Sequence, residues 1–193
     1  MATPEEMAKR AESDCHIPEL PAQDAAYHVE RLLPAEVAFE RLFMDRTILD
    51  RTVCELQGRS CGWRESGAIW AGAVDGPNSI VQDVFFMHDL CDDQGGAHSL
   101  ELSEDAKFWL YRELSRRGQK LLGMIHTHPE DWVGLSRVDR ANQLCSRIGF
   151  WSLVVPFYAQ RPWDLTTVGV HIRVDPGWYQ FSDQDVKERI VIE

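Results

Sequence analysis

Two apolar runs joined by a turn constrain the fold of this chain more than any other feature. The segments "SGAIWAGAV" and "SIVQDVFFMH" have the length and composition of β-strands, and Asp75-Gly76-Pro77-Asn78 between them is a run of turn-forming residues. The two runs therefore predict a β-hairpin. The remainder of the chain has to supply the other strands of a sheet and the helices that cover it.

Helical patterns lie on both sides of the hairpin. Between residues 34 and 56, apolar residues recur at spacings of three and four, which predicts one amphipathic helix or two consecutive helices starting near Pro34. Ser103 precedes "EDAKFWLYRELSRRG", where early acids, late arginines and the final Gly118 mark both ends of a helix. A third helix is predicted for "SRVDRANQLCSRIG", which ends at Gly149.

Three further apolar runs are typical of strands: "KLLGMIHTH", "FWSLVVPFY" and "TTVGVHIRV". The polar C-terminal segment predicts a short strand at "WYQF" and a helix at 182–190. This order of elements favours an α/β fold, in which helices flank a curved mixed β-sheet.

Length and N-terminal composition indicate the domain organisation. A chain of 193 residues is long enough for one well-buried core and short for two. Residues 1–24 combine three prolines with acidic and small residues and little periodic apolar signal, which predicts a flexible N-terminal arm. We therefore expect a single domain over residues 25–193.

Charge and composition exclude several classes of partner. The chain has 20 Lys and Arg against 31 Asp and Glu, a net charge of -11, which gives no electrostatic signal for binding nucleic acid or an anionic membrane. Its apolar runs are shorter than the roughly 20 residues of a membrane span, and its acidic N-terminus lacks the pattern of a signal peptide. The five cysteines include no CxxC pair, as is typical of reduced thiols. These features predict a cytoplasmic protein.

Two histidines stand at the end of one predicted strand. Residues two apart on a strand point to the same face, so His126 and His128 can reach one point while Thr127 faces away. A catalytic zinc ion often takes two histidines and one carboxylate and leaves a fourth position open. Asp139 is the candidate carboxylate, because a seven-residue loop after His128 lets the start of a helix return beside the strand end.

The same residues have an interpretation without metal. Ser136 followed three residues later by Asp139 resembles a helix N-cap with an acidic residue at the third helical position. Histidines at strand ends are commonly solvated or merely hydrogen-bonded. The two interpretations are compatible, since a serine can cap the helix and still face a metal ion.

A hydrolytic zinc site also needs a general base. The chain offers two upstream glutamates for this role, Glu55 and Glu65. Glu65 opens "ESGAIWAG", a strand whose small residues allow it to lie beside the histidine strand. Glu55 closes a helical pattern, where an acid is more often solvated.

Taken together, these residues resemble the signature of the JAMM (also called MPN+ or JAB) zinc metallo-isopeptidases. That signature is a glutamate followed by H[S/T]H, seven residues and SxxD, as in Glu65, His126-Thr127-His128 and Ser136-Arg137-Val138-Asp139. The order of elements is similar from about residue 27 to 180, which implies the MPN fold. Ala68 stands where many relatives have glycine, a change that affects packing rather than chemistry.

The resemblance also implies the role of each residue. His126, His128 and Asp139 would bind Zn²⁺, with a water in the fourth position. Glu65 would act as a base on that water and then as an acid toward the departing amine, and Ser136 would hydrogen-bond the water or the oxyanion.

The family cleaves bonds after the flexible C-terminal tail of ubiquitin or a ubiquitin-like protein. The compact chain is similar to stand-alone bacterial members, which implies deconjugation or precursor processing beside E1-like and E2-like partners in antiviral defence. The loop at 88–100 and Trp132 are candidates for holding the substrate tail. The alternatives are processing of a sulfur-carrier protein of β-grasp shape, and a non-catalytic MPN scaffold.

Overall fold

The computed structural model describes residues 34–90, 100–141 and 144–193. These residues belong to one compact unit, Leu33–Glu193. The arm predicted for residues 1–24 and the start of the domain predicted at residue 25 lie outside the described residues, as does most of the loop at 88–100.

The described strands form one mixed sheet of eight strands. They are β1 (Arg41–Met44), β2 (Gly67–Asp75), β3 (Asn78–Phe86), β4 (Lys120–Thr127), β5 (Trp151–Val155), β6 (Gly169–Val174), β7 (Gly177–Gln180) and β8 (Ile190–Ile192). Their order across the sheet is β7-β6-β5-β4-β2-β3-β1-β8. The pairs β1/β3, β1/β8 and β4/β5 are parallel, and the other neighbours are antiparallel.

The described helices are α1 (Arg46–Ser60), α2 (Met87–Leu90), α3 (Glu104–Arg117), α4 (Arg137–Ala141) and α5 (Asp183–Arg189). Two short 3₁₀ helices cover Ala35–Val37 and Phe157–Ala159. Within the described part of the chain, none of the helices combines the length and the apolarity needed to cross a membrane.

The predicted hairpin is confirmed as β2 and β3, which pair from Ala68 with Phe86 to Asp75 with Asn78. A β-bulge interrupts the ladder between Ala71 and Gly72. A Cβ atom at Gly72 would lie 2.0 Å from the carbonyl oxygen of Ile80, so this close approach of two backbones requires glycine.

Apolar side chains cover both faces of the central strands. On β2, Ala68 and Trp70 belong to one core cluster, whereas Ile69 and Ala71 belong to another. Since alternate residues of a strand point to opposite faces, the two clusters lie on opposite sides of the sheet. Helix α1 contributes Leu49 and Leu56 to the first cluster, and α3 packs against the second with the apolar side chains of Ala106, Leu110 and Leu114. This arrangement confirms the α/β class, with helices flanking a mixed sheet.

Helix α3 has the ends that the sequence predicts. The Ser103 hydroxyl accepts a hydrogen bond from the Ala106 N–H at 3.2 Å. Gly118 ends the helix in the left-handed conformation, at φ 66°. Complete burial of a leucine such as Leu110 contributes about 1.5–3 kcal/mol, so packing rather than capping supplies most of the stability of this helix.

The helical prediction for residues 34–56 is wrong in its first half. Arg41–Met44 form strand β1, in which Leu42 and Met44 are buried and Arg41 is exposed. The strand pairs with β3 on one side and with β8, from the end of the chain, on the other. This long-range pairing overrides the local helical spacing. Helix α1 begins only after Asp45, whose carboxylate caps it by accepting the Thr47 N–H at 2.6 Å.

The helix predicted to end at Gly149 is also too long. The described residues of this helix end at Ala141, and the segment 144–149 is not helical. The Gly149 N–H donates to the Arg173 carbonyl on β6 at 3.0 Å, and Phe150 N–H donates to the Arg147 carbonyl. The segment is therefore a turn that leads the chain into β5.

Candidate metal centre

The two histidines lie at the carboxyl end of β4, in the middle of the sheet. His126 is paired with Gly67 on one side and Val154 on the other. The His128 N–H donates to the Val155 carbonyl at 2.8 Å, so the pairing with β5 continues one residue past the strand. The two histidines are only 2% and 6% exposed. Strand pairing on both sides thus fixes the backbone that carries them.

Helix α4 brings Asp139 to the histidines, as the sequence predicts. The Nε2 atoms of His126 and His128 are 3.2 Å apart. Asp139 Oδ1 lies 3.3 Å from His126 Nε2, and Asp139 Oδ2 lies 3.5 Å from His128 Nε2. Two imidazole nitrogens and a carboxylate therefore converge on one point.

These separations fit a tetrahedral zinc site. Ligands about 2.0–2.1 Å from a tetrahedral ion lie roughly 3.3–3.4 Å from one another. The measured values of 3.2, 3.3 and 3.5 Å bracket that separation. Among the described residues, this is the only group of three or more histidine, cysteine or acidic side chains arranged to hold a metal ion. The donor set of two imidazoles and one carboxylate suits zinc.

Ser136 and Asp139 also form the predicted cap of α4. The Asp139 N–H donates to Ser136 Oγ at 3.1 Å, and the Ser136 N–H donates to Asp139 Oδ2 at 2.7 Å. The two hydrogen bonds hold the aspartate at the start of the helix and direct its carboxylate toward the histidines. The capping and ligand interpretations therefore coexist in this structure.

Backbone pairing places Glu65 opposite His128. Ser66 is tied to Thr127 by two hydrogen bonds, from Ser66 N–H to Thr127 Oγ1 and from Thr127 N–H to the Ser66 carbonyl, both 2.9 Å long. Because Gly67 is in register with His126, continuing the antiparallel ladder past Ser66 sets Glu65 across from His128. Glu65 therefore lies beside the ligand cluster, two residues before β2 begins.

Burial shapes the electrostatics of the cluster. It raises the pKa of the Glu65 carboxyl to about 7, against the influence of His128 and with a further contribution from Asp139. Burial would also raise the pKa of Asp139, but hydrogen bonds to the two imidazoles hold that pKa well below its usual range. Asp139 is thus a carboxylate at neutral pH, whereas Glu65 can exchange a proton there.

Trp132 fixes the orientation of His128. Its indole stacks on the His128 ring with centroids 5.2 Å apart and an interplanar angle of 18°. His128 Nδ1 lies 3.1 Å from the Trp132 carbonyl oxygen, which can only accept. His128 must therefore carry its proton on Nδ1 and present Nε2 to the cluster. Trp132 is nevertheless 47% exposed.

Glu55, the other candidate base, is engaged elsewhere. Its Oε2 atom accepts a hydrogen bond from Arg59 Nε at 2.7 Å on the same helix. Arg59 also forms an ion pair with Asp89 at 2.6 Å. Glu55 is therefore part of a charged network on α1 rather than of the ligand cluster.

The turn after β5 supports the site, and sequence patterns did not identify it. Phe157, Tyr158 and Ala159 have φ values of 54°, 54° and 58°, which are strained for residues with a side chain. Hydrogen bonds hold them there: Tyr158 N–H donates to the His128 carbonyl at 2.7 Å, and Phe157 N–H donates to the Glu130 carbonyl at 3.0 Å. Burial, followed by the charges of Glu65 and Glu130, raises the pKa of the Tyr158 phenol. No local pattern in "PFYA" signals a left-handed run.

His171 is a second residue that the sequence interpretation missed. It lies on β6, is 3% exposed, and its Nδ1 is 3.3 Å from the Ser152 carbonyl oxygen. Burial lowers the pKa of its imidazole to about 4, and the neighbouring His126 contributes in the same direction. A lone histidine inside the apolar strand "GVHIRV" was the available signal.

The structure describes three of the five cysteines. Cys54, Cys61 and Cys145 are free. Cys15 and Cys91 lie outside the described residues.

Comparison with protein-family models gave no match, and neither did a search of curated proteins. Among solved structures, the solution structure of protein DSY2949 from Desulfitobacterium hafniense is similar to this chain, with a TM-score of 0.57 and 14% sequence identity. The similarity covers 79% of this chain and 92% of that chain. At this identity the likeness concerns the fold alone, and it supports a mixed α/β architecture.

Proposed function

We propose that this protein is a zinc-dependent peptidase of the JAMM type, with the MPN fold. It would cleave the isopeptide or peptide bond that follows the C-terminal tail of a ubiquitin-like protein. The observation that carries the proposal is the convergence of His126, His128 and Asp139 at zinc-like separations. The sequence signature described above connects that cluster with the family.

Glu65 is suited to the role of general acid and base. A group with a pKa near the working pH can both take and release a proton. Burial raises the pKa of Glu65 to about 7, and the ladder between Ser66 and Thr127 fixes its backbone next to His128. Glu65 would take a proton from the attacking water and give a proton to the departing amine.

Ser136 can stabilise negative charge on the substrate. Its Oγ accepts the Asp139 N–H at 3.1 Å, which leaves the hydroxyl proton free to be donated. A donor held by a helix cap needs little reorganisation when an oxyanion forms. Ser136 would therefore hydrogen-bond the carbonyl oxygen of the scissile bond as it becomes charged.

The ligand residues would hold the metal ion and fix the geometry of its site. His126 and His128 would offer Nε2, and Asp139 a carboxylate oxygen. When bound, zinc supplies Lewis acidity, which polarises a carbonyl group and makes water more acidic. The Trp132 ring stacks on His128, and the His128 N–H is bonded to the Val155 carbonyl, so both contacts restrict the movement of His128.

The partner in this proposal is a ubiquitin-like protein with an extended C-terminal tail. Main-chain hydrogen bonds along an extended peptide would supply much of its recognition. The net charge of -11 favours a neutral or basic partner surface. E1-like and E2-like proteins of a bacterial conjugation pathway linked to antiviral defence are the accompanying partners we propose.

Cleavage of a ubiquitin-like protein carrying a C-terminal extension tests the proposal. We expect the wild type to cut after the tail, chelator to stop the reaction, and added zinc to restore it. Glu65→Gln should be inactive, whereas the matched control Glu55→Gln should cut at the wild-type rate, because Glu55 belongs to the Arg59 network. Cutting by His128→Ala would contradict the proposed site. A wild type that neither binds zinc nor cuts would favour the scaffold alternative, whereas zinc binding without cutting would point to a different substrate or a missing activating partner.

A further inference from the structure

Two buried imidazole nitrogens near the ligand cluster have no hydrogen-bond partner among the described residues. They are His126 Nδ1 and His171 Nε2. Both side chains are almost fully buried, at 2% and 3% exposure. Buried polar atoms are nearly always paired with protein or water, so an unpaired atom needs an explanation. Two such atoms in neighbouring side chains point to one explanation for both.

One of the two nitrogens can donate a hydrogen bond and the other can accept it. If His126 binds metal through Nε2, its proton must be on Nδ1, which makes the orphaned atom a donor. His171 Nδ1 faces the Ser152 carbonyl at 3.3 Å, and a carbonyl can only accept. In the neutral ring the proton is therefore on Nδ1, and His171 Nε2 is an acceptor.

Strand register places the two rings on the same face of the sheet. His126 pairs with Val154 on β5, and Val154 pairs with Gly169 on β6. His171 follows Gly169 by two residues and so points to the same side. A Cβ atom at Gly169 would lie 1.8 Å from the Val133 carbonyl oxygen and 3.0 Å from His171 Cε1. The imidazole therefore leans along β6 toward Gly169, in the row that contains His126, and the Val133 backbone covers that glycine.

We propose that His171 is a positioning residue that accepts a hydrogen bond from His126 Nδ1–H through one bridging water. This inference rests on the proposed metal-binding role of His126. The hydrogen bond would keep His126 in the tautomer that presents Nε2 to the metal, as the Trp132 carbonyl does for His128. Each ligand histidine would then be oriented by its own acceptor.

Gln180 is the competing partner for His171. It stands opposite His171 on β7, and its side-chain amide also acts on the imidazole. If the amide oxygen accepted a proton from His171 Nε2, that nitrogen would be a donor and could not accept from His126. The two arrangements place the His171 proton on different nitrogens, so they can be told apart.

Zinc affinity of variants at position 171 tests the inference, measured by competition with a chelator of known affinity. His171→Leu should weaken zinc binding by about 10- to 100-fold, the usual effect of losing an outer partner of a ligand. His171→Gln should stay within about threefold of the wild type, because its amide oxygen can take the place of Nε2. Gln180→Ala, the matched control, should bind zinc as the wild type does. Equal affinity of both His171 variants would overturn the inference.

Ring-nitrogen NMR of the wild type gives a result that does not depend on how the variants fold. In the zinc-loaded protein we expect protonated Nδ1 in both His126 and His171 and an unprotonated Nε2 in His171. The His171 tautomer should be the same without zinc, because its Nδ1 faces the Ser152 carbonyl of the chain itself. A proton on His171 Nε2 would overturn the inference. A wild type that shows the expected His171 tautomer but binds no zinc would refute the proposed function and leave His171 Nε2 standing as an acceptor.

Discussion

Replacing Glu65 by glutamine should abolish activity and also make the metal-free protein more stable at alkaline pH. The carboxyl pKa is 4.5 in a model peptide and is raised to about 7 in the folded chain. The folded state therefore binds the Glu65 proton more tightly than the unfolded state does, and the stability gained from this proton is fully present below pH 4.5. This stability is lost as pH rises through about 7, because the folded state must then hold a partly buried carboxylate. Glutamine is neutral at every pH, so the variant does not lose this stability.

The size of the effect follows from the pKa change. At about 1.4 kcal/mol per unit, a rise from 4.5 to about 7 corresponds to roughly 3 kcal/mol. Glu65 is only partly buried, so solvent screening reduces this value, and we expect a gain of about 1–2 kcal/mol at pH 8. The raised pKa that suits Glu65 to its proposed role as a base thus lowers stability at alkaline pH.

Denaturant unfolding of the metal-free wild type and Glu65→Gln, in the presence of chelator, measures this difference. The variant should have the larger unfolding free energy at pH 8, and the difference should shrink toward zero near pH 4.5. Equal stability at pH 8, or a less stable variant, would refute the argument that Glu65 is a buried base with a raised pKa. Zinc content should be unchanged in the variant, since Glu65 is not a ligand.

Three other predictions concern residues around the cluster. Asp139→Ala should lose zinc and about 1 kcal/mol of unfolding free energy. Asp139→Asn should lose zinc but retain most of the stability, because its amide oxygen can still accept the Ser136 N–H. Metal analysis measures the first effect and calorimetry the second. Trp132→Ala should weaken zinc binding several-fold, as chelator competition would show, and Trp132→Phe should not, because a phenyl ring can still stack on His128. Relative to His171→Gln, the metal-free wild type should lose up to roughly 3 kcal/mol of unfolding free energy as pH falls from above 6.5 to about 4. The folded state lowers the pKa of His171, so the neutral imidazole stabilises the fold fully only above pH 6.5. Parallel profiles of unfolding free energy against pH for the two proteins would disprove this.

Local patterns predicted the elements whose signals are local. The hairpin has its turn residues between two apolar runs, and α3 has a cap at each end, so both were found close to their observed bounds. Strand β1 was mistaken for helix because its three consecutive apolar residues form a run too short to distinguish a strand period from a helix period. What makes it a strand is pairing with β8, more than 140 positions later, and no local window contains that information.

The site shows the same division. His126, His128, Ser136 and Asp139 fall in one stretch of sequence, so strand alternation and a helix cap were enough to predict their convergence. The position of Glu65 depends on the register between β2 and β4, and the structure supplies it. The contribution of His171 depends on the register across β5 as well, and that register cannot be inferred from a single strand.

Metal analysis of the purified wild type beside His128→Ala is the most direct test of the central claim. We expect one zinc ion per chain in the wild type and almost none in the variant, because His128 would supply one of three converging ligands. We also expect the two proteins to have the same fold without metal, as circular dichroism would show. A wild type that takes up no zinc, or a variant that keeps a full equivalent, would contradict the proposed metal site.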